Sequence, residues 1–378
     1  AQLELVADAG LGGTHYTHHL QVQEFRRPEF EVAAQVDEGP HILGTTSTVS
    51  VNAAYFAGGA LPNAPVDWNV YAAPGHFTPP NRSDFTFGQW VPWWRFGGSY
   101  MGDNHLGSLA SKTDAVGNHH LDIHYDAMNP PRPYSVRAEA RVTDVNRQAW
   151  TATATMLVHP SELYVGIQLD KPFVEKDEAF DVDVIVVDHD GEAVDGTSVA
   201  MVLYRESWEW KDGRYHTIED SHQPCDITSS SGAVACSFTP DEGGTWKIRA
   251  EVKDDAGRPN RTERTLWVPG GDPPPVRTLA QQELTLVPDA QELAPGDTVR
   301  ILVNSPFPGA EGVLTLRRDG LVEHRRFTME GSSHVLEVAV TEALIPNFTA
   351  QVDVVGHAPR SRGEGDDATA LEDRPAYA

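Results

Sequence analysis

The chain has 378 residues, with 55 acidic against 29 basic side chains, a net charge of −26 and 40% hydrophobic residues. That length exceeds one ordinary core and suits two to four domains, while the acidic excess excludes nucleic acid or an anionic membrane as the main partner. No apolar run reaches the length of a membrane span, and 32 Gly with 27 Pro give the dense punctuation of short strands and turns.

The start, AQLELVADAG, lacks the basic-then-apolar order of a signal peptide. Its strand-like LELVA begins almost at once, so residue 1 reads as a point inside a longer protein. In QVQEFRRPEFEVAAQV (21–36) a β-like run stops at Arg26, Arg27 and Pro28 and resumes through Phe30, Val32 and Ala34. Proline removes a ladder donor and holds the preceding residue extended. The joint therefore reads as the last strand of one β-sandwich handing over to the first strand of the next. Further along, STVSVNAAYF, VDWNVYA, YSVRAEARV, AWTATATMLV, FDVDVIVVD, SVAMVLY, TWKIRAEVK, DTVRILVN, GVLTLRR and HVLEVAV all alternate as strands do. No segment shows helical apolar spacing between caps. The expected class is all-β, built of tandem antiparallel β-sandwiches of the fibronectin III or immunoglobulin-like kind.

An internal repeat supports this. TVSVNAAYFAGGALPNAPVDWNVY (48–71) is answered by AFDVDVIVVDHDGEAVDGTSVAMVLY (179–204), each running strand, Gly-rich turn, then a strand ending in tyrosine. RVTDVNRQAWTATATMLVHP is likewise answered by AEVKDDAGRPNRTERTLWVPG, and a third, shorter version begins at DTVRILVN. The expected division is 1–26, the closing strands of a preceding domain; 27–159, with an aromatic-rich loop at 76–113; 160–270, holding both cysteines; 271–357; and 358–378, a polar, non-periodic linker. Early proteolysis is expected after Arg360 or Arg362, in that linker.

Cys225 and Cys236 are the two cysteines, bracketing a Ser-Ser-Ser-Gly turn. Facing strands of a hairpin would suit a disulfide; two buried free thiols are the alternative. A lone pair around a turn favours the disulfide, and with it a periplasmic or extracellular home.

Histidines gather in THYTHH (His15, His18, His19) and NHHLDIHYD (His119, His120, His124). Adjacent strand residues face opposite ways, so these read as polar surface rather than metal ligands. Asp188, Asp190 and Asp195 resemble a calcium loop only loosely and make a good hairpin turn. G-x-S-x-G, a phosphate-cradling glycine loop and H-E-x-x-H are all absent. No catalytic residue, metal or cofactor is expected. The most unusual stretch is FTFGQWVPWWRFGG, with Phe85, Phe87, Trp90, Trp93, Trp94 and Phe96. Three readings stay open: a loop pinned over its own sandwich as a satellite core, a protein interface within the chain or with a partner, or a sugar-stacking platform.

VQEFRRPEFEV, YFAGGALPNAPVDWNV, FTFGQWVPWW, RVTDVNRQAWTATATMLVHPSELYVGI, GGTWKIRAEVKDDAGRPNRTERTLWVPGG, PGDTVRILVNSPFPGAEGVLTLRRDG, LIPNFTAQVDVV and DRPAYA together resemble the bacterial α2-macroglobulin family. The resemblance spans nearly the whole chain. It implies macroglobulin-type domains, the third to fifth, preceded by the end of the second, with residues 358–378 leading into the next. It also implies a non-enzymatic host-defence protein that traps proteases after a bait segment is cut. Many members add a Cys-Leu-Glu-Gln thioester, and neither cysteine here sits in such a motif. The resemblance places the bait beyond Ala378, although Arg360 and Arg362 also invite a reading of the tail as bait. The segment would then be scaffold, its partners the other macroglobulin domains and, through the full-length parent, target proteases. The parent's membrane anchoring is left open. The rival readings are an adhesin or carbohydrate-binding sandwich array, or an accessory region of a secreted enzyme.

Overall fold

The computed structural model describes residues 2–8, 15–21, 29–92, 104–126, 130–211, 214–271, 282–360 and 372–378. The joint at Arg26–Pro28 lies outside them. Strand His15–Gln21 pairs antiparallel with Gln2–Asp8 in a two-stranded sheet. The rest is all-β, as predicted, with six further sheets facing in pairs around three cores.

The first pair joins Phe30–Val36, Thr46–Tyr55 and Asn118–His124 to a five-stranded sheet ordered His41–Ile42, Ala149–His159, Tyr134–Thr143, Pro65–Pro74 and Asn104–Lys112. Period-2 alternation makes this core. Val136, Ala138, Ala140 and Val142 point inward, and so do Ala154, Met156 and Val158 on the antiparallel neighbour. Trp68 lies at the centre, and its Nε1–H donates to His119 Nδ1 at 3.1 Å. His119 faces in, and burial lowers its pKa. His120 and His124 face out, beside the hydroxyls of Ser50 and Thr46. Part of the expected loop 76–113 is strand: Asn104–Lys112 pairs with Pro65–Pro74. Its mostly exposed side chains left no alternation to read.

The second pair has one sheet ordered Val234–Phe238, Phe180–Val187, Tyr164–Gln168, Thr86–Phe87 and another ordered Arg214–Thr228, Ser198–Lys211, Gly244–Lys253, Pro259–Val268. Cys225 and Cys236 are disulfide-bonded, but not across a hairpin. Cys225 is on an edge strand of one sheet and Cys236 on an edge strand of the other, so the Ser-Ser-Ser-Gly turn is an arch between sheets. The bond closes one side of the sandwich. Reducing it reopens a loop of sequence separation 11. That is expected to cost about 2–3 kcal/mol in the chain-entropy picture. Urea denaturation with and without reductant checks this; coincident transitions would contradict it.

The third pair has Thr285–Pro288, Thr298–Asn304 and Ser333–Ala339 facing a sheet ordered Leu321–Thr328, Glu311–Arg317, Thr349–Arg360 and Glu372–Tyr377. This corrects the expected linker at 358–378. Ala358 and Ala376 are buried in the third core, and Glu372–Tyr377 runs antiparallel to Thr349–Arg360. The strand EDRPAY is short, charged and proline-bearing, as sheet edges are, so its sequence looks like linker. Arg362 lies outside the described residues. The helical content among the described residues is a single 3-10 turn, Glu342–Leu344.

The repeat is visible in the turns. Asp144 Oδ1 accepts the amide of Gln148 at 2.8 Å and Asp254 Oδ1 that of Arg258 at 2.9 Å, with Arg147 and Gly257 both at positive φ between them. Asp188 does the same for Glu192 around Gly191. Asp188 is thus an Asx-type turn former.

Candidate functional site: the seams between sandwiches

An edge strand exposes unpaired amides and carbonyls and must be covered. The second sandwich has such a side between Tyr164–Gln168 and Pro259–Val268, opposite the disulfide. The aromatic stretch of the first sandwich fills it. Thr86 and Phe87 pair with Ile167 and Gly166, extending one sheet. From the very next residue, the same segment bonds to the other sheet. The Gly88 amide donates to Thr262 Oγ1 at 2.8 Å, the Glu263 amide to Gly88 O at 2.9 Å, and the Trp90 amide to Glu263 O at 3.0 Å. Buried Thr262 also donates to Val165 O at 2.6 Å, while buried Asn260 accepts the Val165 amide at 3.0 Å, so two side chains lace the sheets together. Farther along the same edge, the Val174 amide donates to Trp267 O and the Trp267 amide to Pro172 O.

Packing follows the hydrogen bonds. Phe85, Phe87, Tyr164, Ile185 and Val187 form a separate buried cluster, with Phe77 against it. Gly166 has no room for a side chain: a Cβ there would stand 2.7 Å from the Phe87 ring. Trp90 meets Trp267 edge-on at 6.0 Å, and the Arg264 guanidinium lies 5.2 Å from the Trp90 ring centre. Burial lowers the Arg264 pKa to about 10, against a smaller opposing pull from Asp170. Arg82 Nε–H donates to Gly191 O at 2.8 Å, pinning the start of the stretch to the turn 188–192.

The connection itself is clamped. Asp254 accepts from Arg258 Nε at 2.7 Å, from the Glu162 amide at 3.0 Å and from Ser161 Oγ at 3.2 Å. These bonds hold its carboxyl below the usual range although burial opposes them. Next to it, the Tyr164 hydroxyl and Nδ1 of buried His159 are hydrogen-bonded at 2.7 Å, the tautomer of the ring setting which of them donates. His189 lies 4.1 Å from His159, ring centre to ring centre, and donates to Ser161 O at 3.0 Å. The Phe77 ring stands edge-on to both imidazoles. A smaller seam joins the second and third sandwiches: Phe173, Val287 and Leu302 are buried together, Trp267 and Val335 pack on them, and Arg300 pairs with Glu175 at 2.6 Å.

Of the six aromatics singled out in the sequence, Phe85, Phe87 and Trp90 are thus brought together in this seam. Trp93, Trp94 and Phe96 lie outside the described residues. The stretch is pinned over the next sandwich, not its own, where Thr86–Phe87 extends one sheet and Gly88 and Trp90 bond to the other. Among the described residues, no group of three or more His, Cys, Asp or Glu is placed to hold a metal ion. No helix among them is long and apolar enough to cross a membrane. Sequence reasoning missed Thr262, Asn260, Asp254, His159 and His189. Each has at least one partner 28 or more residues away in the sequence, beyond the reach of a local pattern.

Comparison with known proteins adds three findings. A family model described as the alpha-2-macroglobulin bait region domain matches residues 284–366. The bait-region match therefore falls inside the chain, whereas the sequence resemblance put the bait beyond Ala378. An alpha-2-macroglobulin homolog of Nostoc is 23% identical over 358 residues, covering 92% of this chain and 18% of that protein. A circularly permutated Ras protein 2 of Dictyostelium discoideum is 28% identical over 209 residues, 51% of this chain and 5% of that protein. The chain therefore spans less than a fifth of the length of these curated relatives. Among solved structures, the native conformation of Escherichia coli alpha-2-macroglobulin aligns with all of this chain and 24% of its own, at 14% identity and a TM-score of 0.48. Over residues 284–366 and along most of its sequence, the chain is thus similar to alpha-2-macroglobulin proteins, a bacterial homolog among them.

Proposed function

We propose that this chain is a scaffold segment of a larger protease-trapping protein, comprising a third to a fifth macroglobulin domain at 27–159, 160–270 and 271–378 with the end of a second at 1–26. It has no catalytic role of its own. The observation that carries this reading is the seam: the most aromatic part of the chain is spent joining one sandwich to both sheets of the next, not lining a cleft. Buried Phe85 and Phe87 offer no platform for stacking sugars, which disfavours the carbohydrate-binding reading. A rigid array of sandwiches can carry strain between domains until a proteolytic cut releases it, which is what a trap requires of its frame. The disulfide and the family's relatives support a periplasmic or extracellular site, with proteases and other macroglobulin domains as partners.

A frame without the rest of the trap should not inhibit. The 378-residue chain, mixed at equal molarity with trypsin, chymotrypsin or elastase, is expected to leave cleavage of both casein and a small chromogenic peptide unchanged. Loss of small-peptide cleavage would mark an active-site inhibitor and overturn the scaffold reading.

A further inference from the structure

We propose that the seam between the first and second sandwiches is an acid-sensitive coupling, closed while buried His159 is uncharged and loosened when a proton enters its ring. The proposal rests on the scaffold reading of the seam, not on the trap. Each histidine comes from a different element. His159 ends strand Ala149–His159, His189 sits in the turn of the second sandwich, and His41 is on the short strand beside His159. The Leu43 amide donates to His159 O at 2.9 Å, so the backbone fixes the two strands together. His159 and His189 are in ring contact with Phe77 edge-on to both, so a proton on His159 would set a buried cation against neighbouring rings.

The groups facing His159 decide the sign. Tyr164 presents a hydroxyl, and its own ionisation is pushed far up by burial. His41 is bonded to Ser47 Oγ at 2.7 Å, with Asp37 at 3.8 Å as its carboxylate. Tyr125, its ionisation pushed up by burial, interacts with the same Ser47. On the turn, the Asp188 carboxylate is occupied by the amides of Asp190 and Glu192, and Arg82 holds Gly191 O. His76, two residues from the hydroxyl of Thr78 that it contacts, lies on the incoming loop. Burial first, then His189 and His41, lower the His159 pKa to about 4. A base whose pKa is depressed in the closed state binds protons better when the seam opens. The closed seam is therefore fully favoured above about pH 6.5, the ordinary histidine value, and loses that advantage as pH falls toward 4.

Native-state hydrogen exchange on the whole chain tests this, because it reads rare openings at individual amides. Amides of Gly88, Trp90 and Glu263 report the seam, and Val136 and Ile248 the two cores. After correction for intrinsic rates, seam protection is expected to fall about tenfold or more from pH 7 to 4.5 relative to the cores. His159→Gln should bring the seam's fall down to that of the cores. Tyr164→Phe removes the hydroxyl bonded to His159 Nδ1, so it should shift the pH at which the seam's protection falls while the cores stay as they were. Equal pH dependence in seam and cores, or an unchanged fall in both variants, would overturn the proposal.

Discussion

Trp246→Ala is expected to remove about 3–5 kcal/mol from the second sandwich, the cost of deleting a large, fully buried side chain from a core that relaxes only in part. Trp246 is 0% exposed and sits on Gly244–Lys253, a strand flanked on both sides in its sheet. Its indole touches the centre of a core whose other members are mostly Val, Ile and Ala, too small to flow into the void. The indole N–H also donates to Glu242 O at 2.9 Å, so truncation leaves that carbonyl without its donor. Urea unfolding followed by fluorescence should show the second sandwich melting earlier with the first and third little changed. A loss under about 1 kcal/mol would mean that the core tolerates the cavity by collapse.

Gly166→Val is expected to expel the aromatic segment from its edge. The new side chain would meet the Phe87 ring and lie 3.0 Å from Phe85 Cβ. Overpacking typically costs about 1–3 kcal/mol, and here the cheapest escape is for Thr86–Phe87 to leave the sheet. The readout is local: brief trypsin treatment should cut after Arg82 at least about tenfold faster, matching about 1.4 kcal/mol of lost closure, while far-UV circular dichroism stays unchanged. Adding Phe87→Leu makes room for the valine, so the double variant should be less destabilised than the two single changes summed. Additive effects would mean that Gly166 and Phe87 do not meet.

How far the sequence carries the fold depends on whether a strand has a buried face. Tyr134–Thr143 and Gly244–Lys253 alternate cleanly because one side lies on a core, and both are legible at sight. Asn104–Lys112 and Leu321–Thr328 are mostly exposed; the first was hidden inside a supposed loop, while the second has few apolar residues to alternate. The long hairpin of Ser198–Lys211 and Arg214–Thr228 was read only up to Tyr204. Its polar outer half hides the strand beyond Tyr204. The cysteine pair was legible as a bond because two cysteines bracket one turn. The sheets it joins were not, since an arch and a hairpin use the same turn residues. The seam was legible only as surplus aromatic area. Which edge that area would cover depends on Thr262, Asn260 and Gly166, whose roles come from a fold and not from a local pattern.

The frame reading is tested most directly on the longer protein of which we propose this chain is a part. That protein, mixed with excess-free trypsin and then assayed with casein and with a small chromogenic peptide, should lose casein cleavage while keeping most peptide cleavage, because a cage excludes by size. Loss of neither activity, or loss of both together, would contradict a protease trap built on this frame.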